Sequence, residues 1–223
     1  MIKAVVFDMD GVLFDTERIS CECFLEAAKQ LKLQIPEEAV YGCLGLNQTD
    51  GKAHVLKCVE PFYPDGTFPY ELWHQKVLEL FSECLKDGAP VMKGVFELLD
   101  FLRDKKIKMA VASSTNYDRV MSNLTHCGIN VYFSEVITGN MVEHSKPDPD
   151  IYLKACRALE VNPDQAMAVE DSPNGIRAAA AAGMVTVMVP DLIPATPELE
   201  KLFDMKFDSL VELRKYFESV IEG

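Results

Sequence analysis

From residue 93 onward the chain repeats one pattern four times: a helical stretch, then a short apolar run. Val95, Leu98, Leu99 and Leu102 lead to K-M-A-V-A at 108–112, and a helix around 117–127, ended by Gly128, leads to a run at 134–138. A helix over 149–160 leads to A-M-A-V-E at 166–170, and the alanine-rich I-R-A-A-A-A-A-G leads to V-T-V-M-V. Short apolar runs suit parallel strands buried on both faces. Strands alternating with helices join through right-handed crossovers, which place helices on both faces of a parallel sheet. A fifth run, Ala4 to Phe7, stands apart at the start of the chain. Between 17 and 90 nothing alternates like a strand; helical spacing recurs at Ile19, Cys23, Phe24, Ala27, Ala28 and Leu31 and over 50–60 and 69–87, and Pro36 opens another short helix. Gly88-Ala89-Pro90 closes this block. The expected architecture is α/β: a core domain from 1–15 and 91–223, with an all-helical domain inserted at 16–90. The tail is expected to hold a helix near 197–203 and an amphipathic one near 209–221.

The whole chain narrows the function. Its 223 residues suit a domain with an insert, and 48% hydrophobic with 26% charged residues is ordinary globular composition. A net charge of −13 without a basic cluster argues against nucleic acid and anionic membranes as partners. Seven cysteines without metal-binding spacing read as reduced thiols. With the chain entering its first strand directly and no long apolar run, a cytoplasmic protein is expected. Nothing demands more than a monomer.

Taken in chain order from Ala4–Phe7, the first four core runs are followed by polar residues for which packing gives no reason. The first ends in Asp8 and Asp10 before Gly11, the second in Ser113, Ser114 and Thr115. Lys146 follows the third in S-K-P-D-P-D, and Glu170, Asp171 and Ser172 follow the fourth. An Asp-Gly pair after a strand can be a mere turn. In a parallel sheet, however, all four clusters fall on the carboxyl edge, where open α/β sheets bind ligands. Crowded carboxylates repel unless a cation joins them, and hard oxygen donors favour Mg²⁺ with a substrate phosphate. A lysine and a hydroxyl beside it would cradle a phosphoryl group. One aspartate could then attack phosphorus while the second exchanges protons with the leaving group and water.

D-M-D-G-V-L-F-D-T-E, V-A-S-S-T, S-K-P-D-P-D and V-E-D-S-P-N-G-I-R-A-A together resemble the four motifs of haloacid dehalogenase-type phosphohydrolases, in order and over essentially the whole chain. The helical insert resembles that family's C1-type cap, and the chain looks most like the β-phosphoglucomutase-like subfamily. The resemblance implies a Rossmann-like core with Asp8 as nucleophile and Asp10 as general acid/base. Mg²⁺ would be held by Asp8, Asp171 and the Asp10 carbonyl, with Glu170 a ligand or an orienter. Ser113, Ser114 and Lys146 would bind the phosphoryl group. Ser113 read alone could be a strand end or cap, Lys146 a solvated loop residue, and Asp15 a helix cap.

Within that family Asp10 disfavours dehalogenation, and none of Lys29, Lys32, Lys52, Lys57 or Lys76 sits in a motif recognisable as a phosphonatase Schiff-base lysine. A β-phosphoglucomutase carries a histidine where this chain has Ser20, and a basic residue in a loop that reads L-G-L-N-Q-T-D here. A neutral loop holds a second phosphate poorly. The expectation is a phosphatase for a small sugar or polyol phosphate whose hydroxyls meet Asn47 and Gln48; mutase-type transfer on a hexose phosphate is the alternative. Trp73, His54 and His74 are read first as packing residues, and a binding protein without activity would lack one of these motifs.

Overall fold

The protein, a computed structural model, is described over residues 2–46 and 48–221. It divides into two compact units, one comprising Met1–Asp15 with Pro90–Gly223 and the other Thr16–Ala89.

The first unit is built on β1 (Ala4–Phe7). Within the second come α1 (Thr16–Gln30), α2 (Glu37–Tyr41), α3 (Gln48–Val59) and α4 (Tyr70–Cys84). The first unit then continues with α5 (Val95–Asp104), β2 (Lys108–Ser113), α6 (Tyr117–His126), β3 (Glu135–Thr138), α7 (Asp150–Ala158), β4 (Ala166–Glu170), α8 (Pro173–Ala181), β5 (Val185–Met188), β6 (Met205–Lys206) and α9 (Leu210–Ile221). Among the described residues the six strands are all parallel, in the order β3-β2-β1-β4-β5-β6, with helices on both faces.

The register aligns the polar strand ends. Phe7 pairs with Val111 on one side and Val169 on the other, so Asp8 comes level with Ala112 and Glu170. One face of these central strands is nearly all small: Ala4, Val6, Ala110, Ala112, Ala166 and Ala168. Small residues let a helix approach closely and leave room for one large side chain. Tyr152 of α7 fills that room, packed with Ile151, Ala155, Ala178 and Ala179. The alanines of α8 are therefore packing residues.

The tail departs from the expectation in one respect. Instead of a helix over 197–203 there is a single 3-10 turn at Leu199–Lys201, and the chain then adds β6 to the sheet edge. Leu199 is buried against Ile176 and Met188, which favours one anchoring turn over a free helix. A two-residue edge strand has no periodicity to read, and short edge strands limit unwanted pairing.

The second unit is entirely helical among its described residues, around Ile19, Cys23, Ala27, Val55, Val59, Phe68, Trp73 and Val77. Trp73 is buried, its indole N–H donates to the Phe24 carbonyl at 3.2 Å, and Phe24 meets its ring edge-on at 5.1 Å. It is a core residue of this unit. His74 stacks on Tyr70 and the His54 ring lies 3.0 Å from the Glu38 carbonyl.

Candidate active site

Asp8 follows β1 directly and extends its ladder, its N–H donating to the Val169 carbonyl at 2.9 Å. The chain then turns tightly, with Leu13 and Phe14 donating back to the Met9 carbonyl and Gly11 donating to Phe14. Gly11 has φ +80°, and a Cβ there would come within 2.3 Å of Asp171 Oδ2. Only glycine satisfies both demands. The Asp171 carboxylate therefore lies against the loop that carries Asp8 and Asp10.

Lys146 is buried, and its ammonium reaches three acceptors: Asp8 Oδ1 at 2.5 Å, Glu170 Oε1 at 2.6 Å and the Ala112 carbonyl at 3.0 Å. An ammonium has three protons, and all three are used. Burial alone would draw the lysine's pKa down, but Asp8 and Glu170 outweigh it and hold it well above its usual range. The Asp8 carboxyl is raised, first by burial and then by Glu170 and Asp10, against the opposing pull of Lys146. That is a site with more anions than its single buried ammonium balances.

Glu170, at the end of β4, is fully buried and saturated with donors. Oε1 accepts from Lys146 and from the Tyr152 hydroxyl at 2.7 Å. Oε2 accepts from the N–H groups of Asp171 and Ser172, both at 3.2 Å, and from the Ser172 hydroxyl at 3.0 Å. Ser172 is also the N-cap of α8, accepting from the Gly175 N–H at 3.0 Å. Gly175 must be glycine, because a Cβ there would fall 1.8 Å from Glu170 Oε1. Gly175→Ala is expected to cost about 3 kcal/mol by forcing Glu170 aside, read as a lowered melting temperature in scanning calorimetry.

Of the remaining expected residues, Ser113 is buried at the end of β2, its hydroxyl accepting from the Thr115 N–H at 3.1 Å, while Ser114 is exposed. The Thr115 hydroxyl donates to Asp10 Oδ2 at 3.0 Å. The Arg119 guanidinium, in the first turn of α6, is lowered by burial while Asp10 pulls it up. Asn47 lies outside the described residues; Gln48 opens α3, and its side chain is likewise outside them.

Asp8, Lys146, Glu170 and Asp171 thus meet at one sheet edge, with Asp10 beside Thr115. Sequence reading missed Tyr152 and the holding roles of Thr115 and Ser172. The signal for Tyr152 was faint: a tyrosine at a core-facing helical position must find a partner for its hydroxyl.

Residues 5–189 match the sequence model of a family described as haloacid dehalogenase-like hydrolase. The chain is 33% identical over 183 residues, 82% of each chain, to the phosphorylated carbohydrates phosphatase of Thermotoga maritima. It is 29% identical over 194 residues to the β-phosphoglucomutase of Bacillus subtilis, covering 84% of this chain and 83% of that one. The crystal structure of CbbY from Rhodobacter sphaeroides in complex with phosphate is similar with a TM-score of 0.76, at 30% identity and 96% coverage of each chain.

Proposed function

The chain belongs to the haloacid dehalogenase-like hydrolases, and from that premise we propose that it is a Mg²⁺-dependent phosphatase of a small sugar or polyol phosphate, working through an aspartyl-phosphate. The observation that carries the reading is the buried Lys146 ammonium held 2.5 Å from Asp8, with Asp171 packed on the same loop. A buried lysine so placed presents a fixed positive charge where a phosphoryl group would meet the Asp8 carboxylate.

The donor set fits a divalent cation. Asp8, Asp10, Glu170 and Asp171 outnumber Lys146, and all offer hard oxygen atoms. Asp8, Asp171 and the Asp10 main-chain carbonyl are the proposed ligands. Glu170 suits the orienting role better, because its two oxygens together already accept five protein donors. When bound, the cation would screen the charge of an incoming phosphate and of the phosphorane-like transition state.

In the proposed cycle an Asp8 carboxylate oxygen attacks phosphorus as the bond to the leaving alkoxide breaks. Asp10 gives that alkoxide a proton, and Thr115 holds its carboxyl in place. Asp10 then takes a proton from the water that attacks phosphorus, which frees phosphate and restores Asp8. Lys146 and the Ser113 hydroxyl bind the phosphoryl oxygens, and Ser114, being exposed, is proposed to contribute through its main chain. Choice of substrate is assigned to the inserted helical unit through Asn47 and Gln48.

The relative named for phosphorylated carbohydrates supports the substrate class, whereas the β-phosphoglucomutase relative supports phosphoryl transfer between positions of a hexose phosphate as the alternative. The test is phosphate release from a panel of sugar and polyol phosphates, with and without Mg²⁺. Turnover should appear with Mg²⁺ and vanish in EDTA; no metal-dependent release from any of them would sink the reading. With β-glucose 1-phosphate and its 1,6-bisphosphate, accumulation of glucose 6-phosphate instead of free phosphate would favour the mutase.

A further inference from the structure

Tyr152 lies on α7, fully buried on the alanine-lined sheet face, and its hydroxyl bonds to neither Asp8 nor Asp10. Among the described residues that hydroxyl has one hydrogen-bond partner, Glu170 Oε1 at 2.7 Å, and the ring lies 5.0 Å from the Lys146 ammonium. Glu170 Oε1 is the same oxygen that Lys146 grips at 2.6 Å.

We propose that Tyr152 is a positioning residue for phosphoryl capture: its hydroxyl shares Glu170 Oε1 with Lys146 and so sets how firmly that lysine is drawn away from the phosphoryl site. The inference rests on the phosphatase reading. Lys146 has no spare proton, so contact with a phosphoryl oxygen requires it to give up one of its three bonds. The Ala112 carbonyl is main chain inside the sheet, and Glu170 is held by four donors besides Lys146. The bond to Asp8 is the one that can be exchanged, and it points at the proposed nucleophile. The Tyr152 O–H competes with Lys146 for the charge on Oε1. Without it, Glu170 would hold the ammonium more tightly, and Lys146 would meet phosphate less well.

The test is steady-state hydrolysis of p-nitrophenyl phosphate by the full chain in saturating Mg²⁺, with inorganic phosphate as competing inhibitor. Tyr152→Phe should raise both KM and the phosphate inhibition constant about tenfold, the size expected for losing a hydrogen bond to a charged group. The rise in affinity constants should exceed any fall in kcat. A merely structural tyrosine would lower the active fraction, and hence kcat, without moving either constant. In a Glu170→Gln background the Tyr152→Phe effect should disappear, because the tyrosine acts only through that carboxylate. Should Tyr152→Phe not fold, 3-fluorotyrosine at position 152 keeps the ring and donates more strongly, so the phosphate constant should fall. Unchanged constants in whichever variant folds, or an undiminished effect beside Glu170→Gln, would overturn the proposal. Wild-type protein without Mg²⁺-dependent turnover would instead overturn the phosphatase reading, and the Tyr152 role with it.

Discussion

Asp8→Asn is expected to reduce phosphate release at least about 10⁴-fold, the loss typical when a covalent nucleophile is removed. Asparagine has nearly the shape of aspartate, and Lys146 would keep Glu170 and the Ala112 carbonyl as partners. The fold should therefore survive. Its stability should even move the other way from its activity. The folded-state pKa of the Asp8 carboxyl is raised by burial and by Glu170 and Asp10. A carboxyl raised on folding makes the native state bind more protons than the unfolded chain, so it loses stability as pH rises from the ordinary carboxylate range through the folded value. The asparagine variant lacks that loss. In EDTA at neutral pH its melting temperature should match or exceed that of the wild type, while turnover in Mg²⁺ is gone. An active Asp8→Asn protein would remove the aspartyl-phosphate from the mechanism.

Lys146→Met should cost the most in stability. It strips a buried ammonium from between two carboxylates, leaving Asp8 and Glu170 without their shared cation. Removing one partner of a buried ion pair typically costs about 3–5 kcal/mol, which for a chain of this size is a fall of roughly 10 °C in melting temperature. The Lys146 pKa is raised on folding, so its contribution is fully present below the ordinary lysine range and is lost only as pH rises through the folded value. Removing Lys146 also removes the charge that pulls the Asp8 carboxyl down, so the deficit should grow as pH rises between about 6 and 9 and the uncompensated carboxylates ionise. Turnover should fall a further ~10²–10³-fold for the folded fraction, as when a fixed electrostatic donor is deleted. Thermal melts across that range, with kinetics at a temperature where the variant is folded, separate the two losses. A variant as stable as wild type would mean that Lys146 compensates no buried charge.

Much of the α/β core was legible because its strands are short, apolar and cleanly bounded. Ala166–Glu170 is the strand that A-M-A-V-E announces, and Gly128 and Gly183 stand at positive φ just beyond the helices they close. The β6 strand was not, because Met205 and Lys206 carry no alternation; only the neighbouring β5 backbone makes them a strand. At the site, Asp8, Asp10, Lys146 and Asp171 stood out as polar groups that packing could not justify. Glu170 did not resolve, since two adjacent acids look alike in a sequence. Both are buried, and what marks Glu170 out is the five protein donors on its carboxylate. Tyr152 was illegible for the opposite reason: at its place in I-Y-L-K-A-C it reads as one more core residue.

Legible from the chain alone are the candidate site residues and the sheet edge they share, because strand ends in a parallel sheet need no further information to be brought to one side. Which of those groups hold one another is a matter of the fold. Hydrogen-bond partners depend on ångström distances between loops far apart in the chain, and Lys146, 138 residues from Asp8, finds it only because β1, β2 and β4 stand in one register.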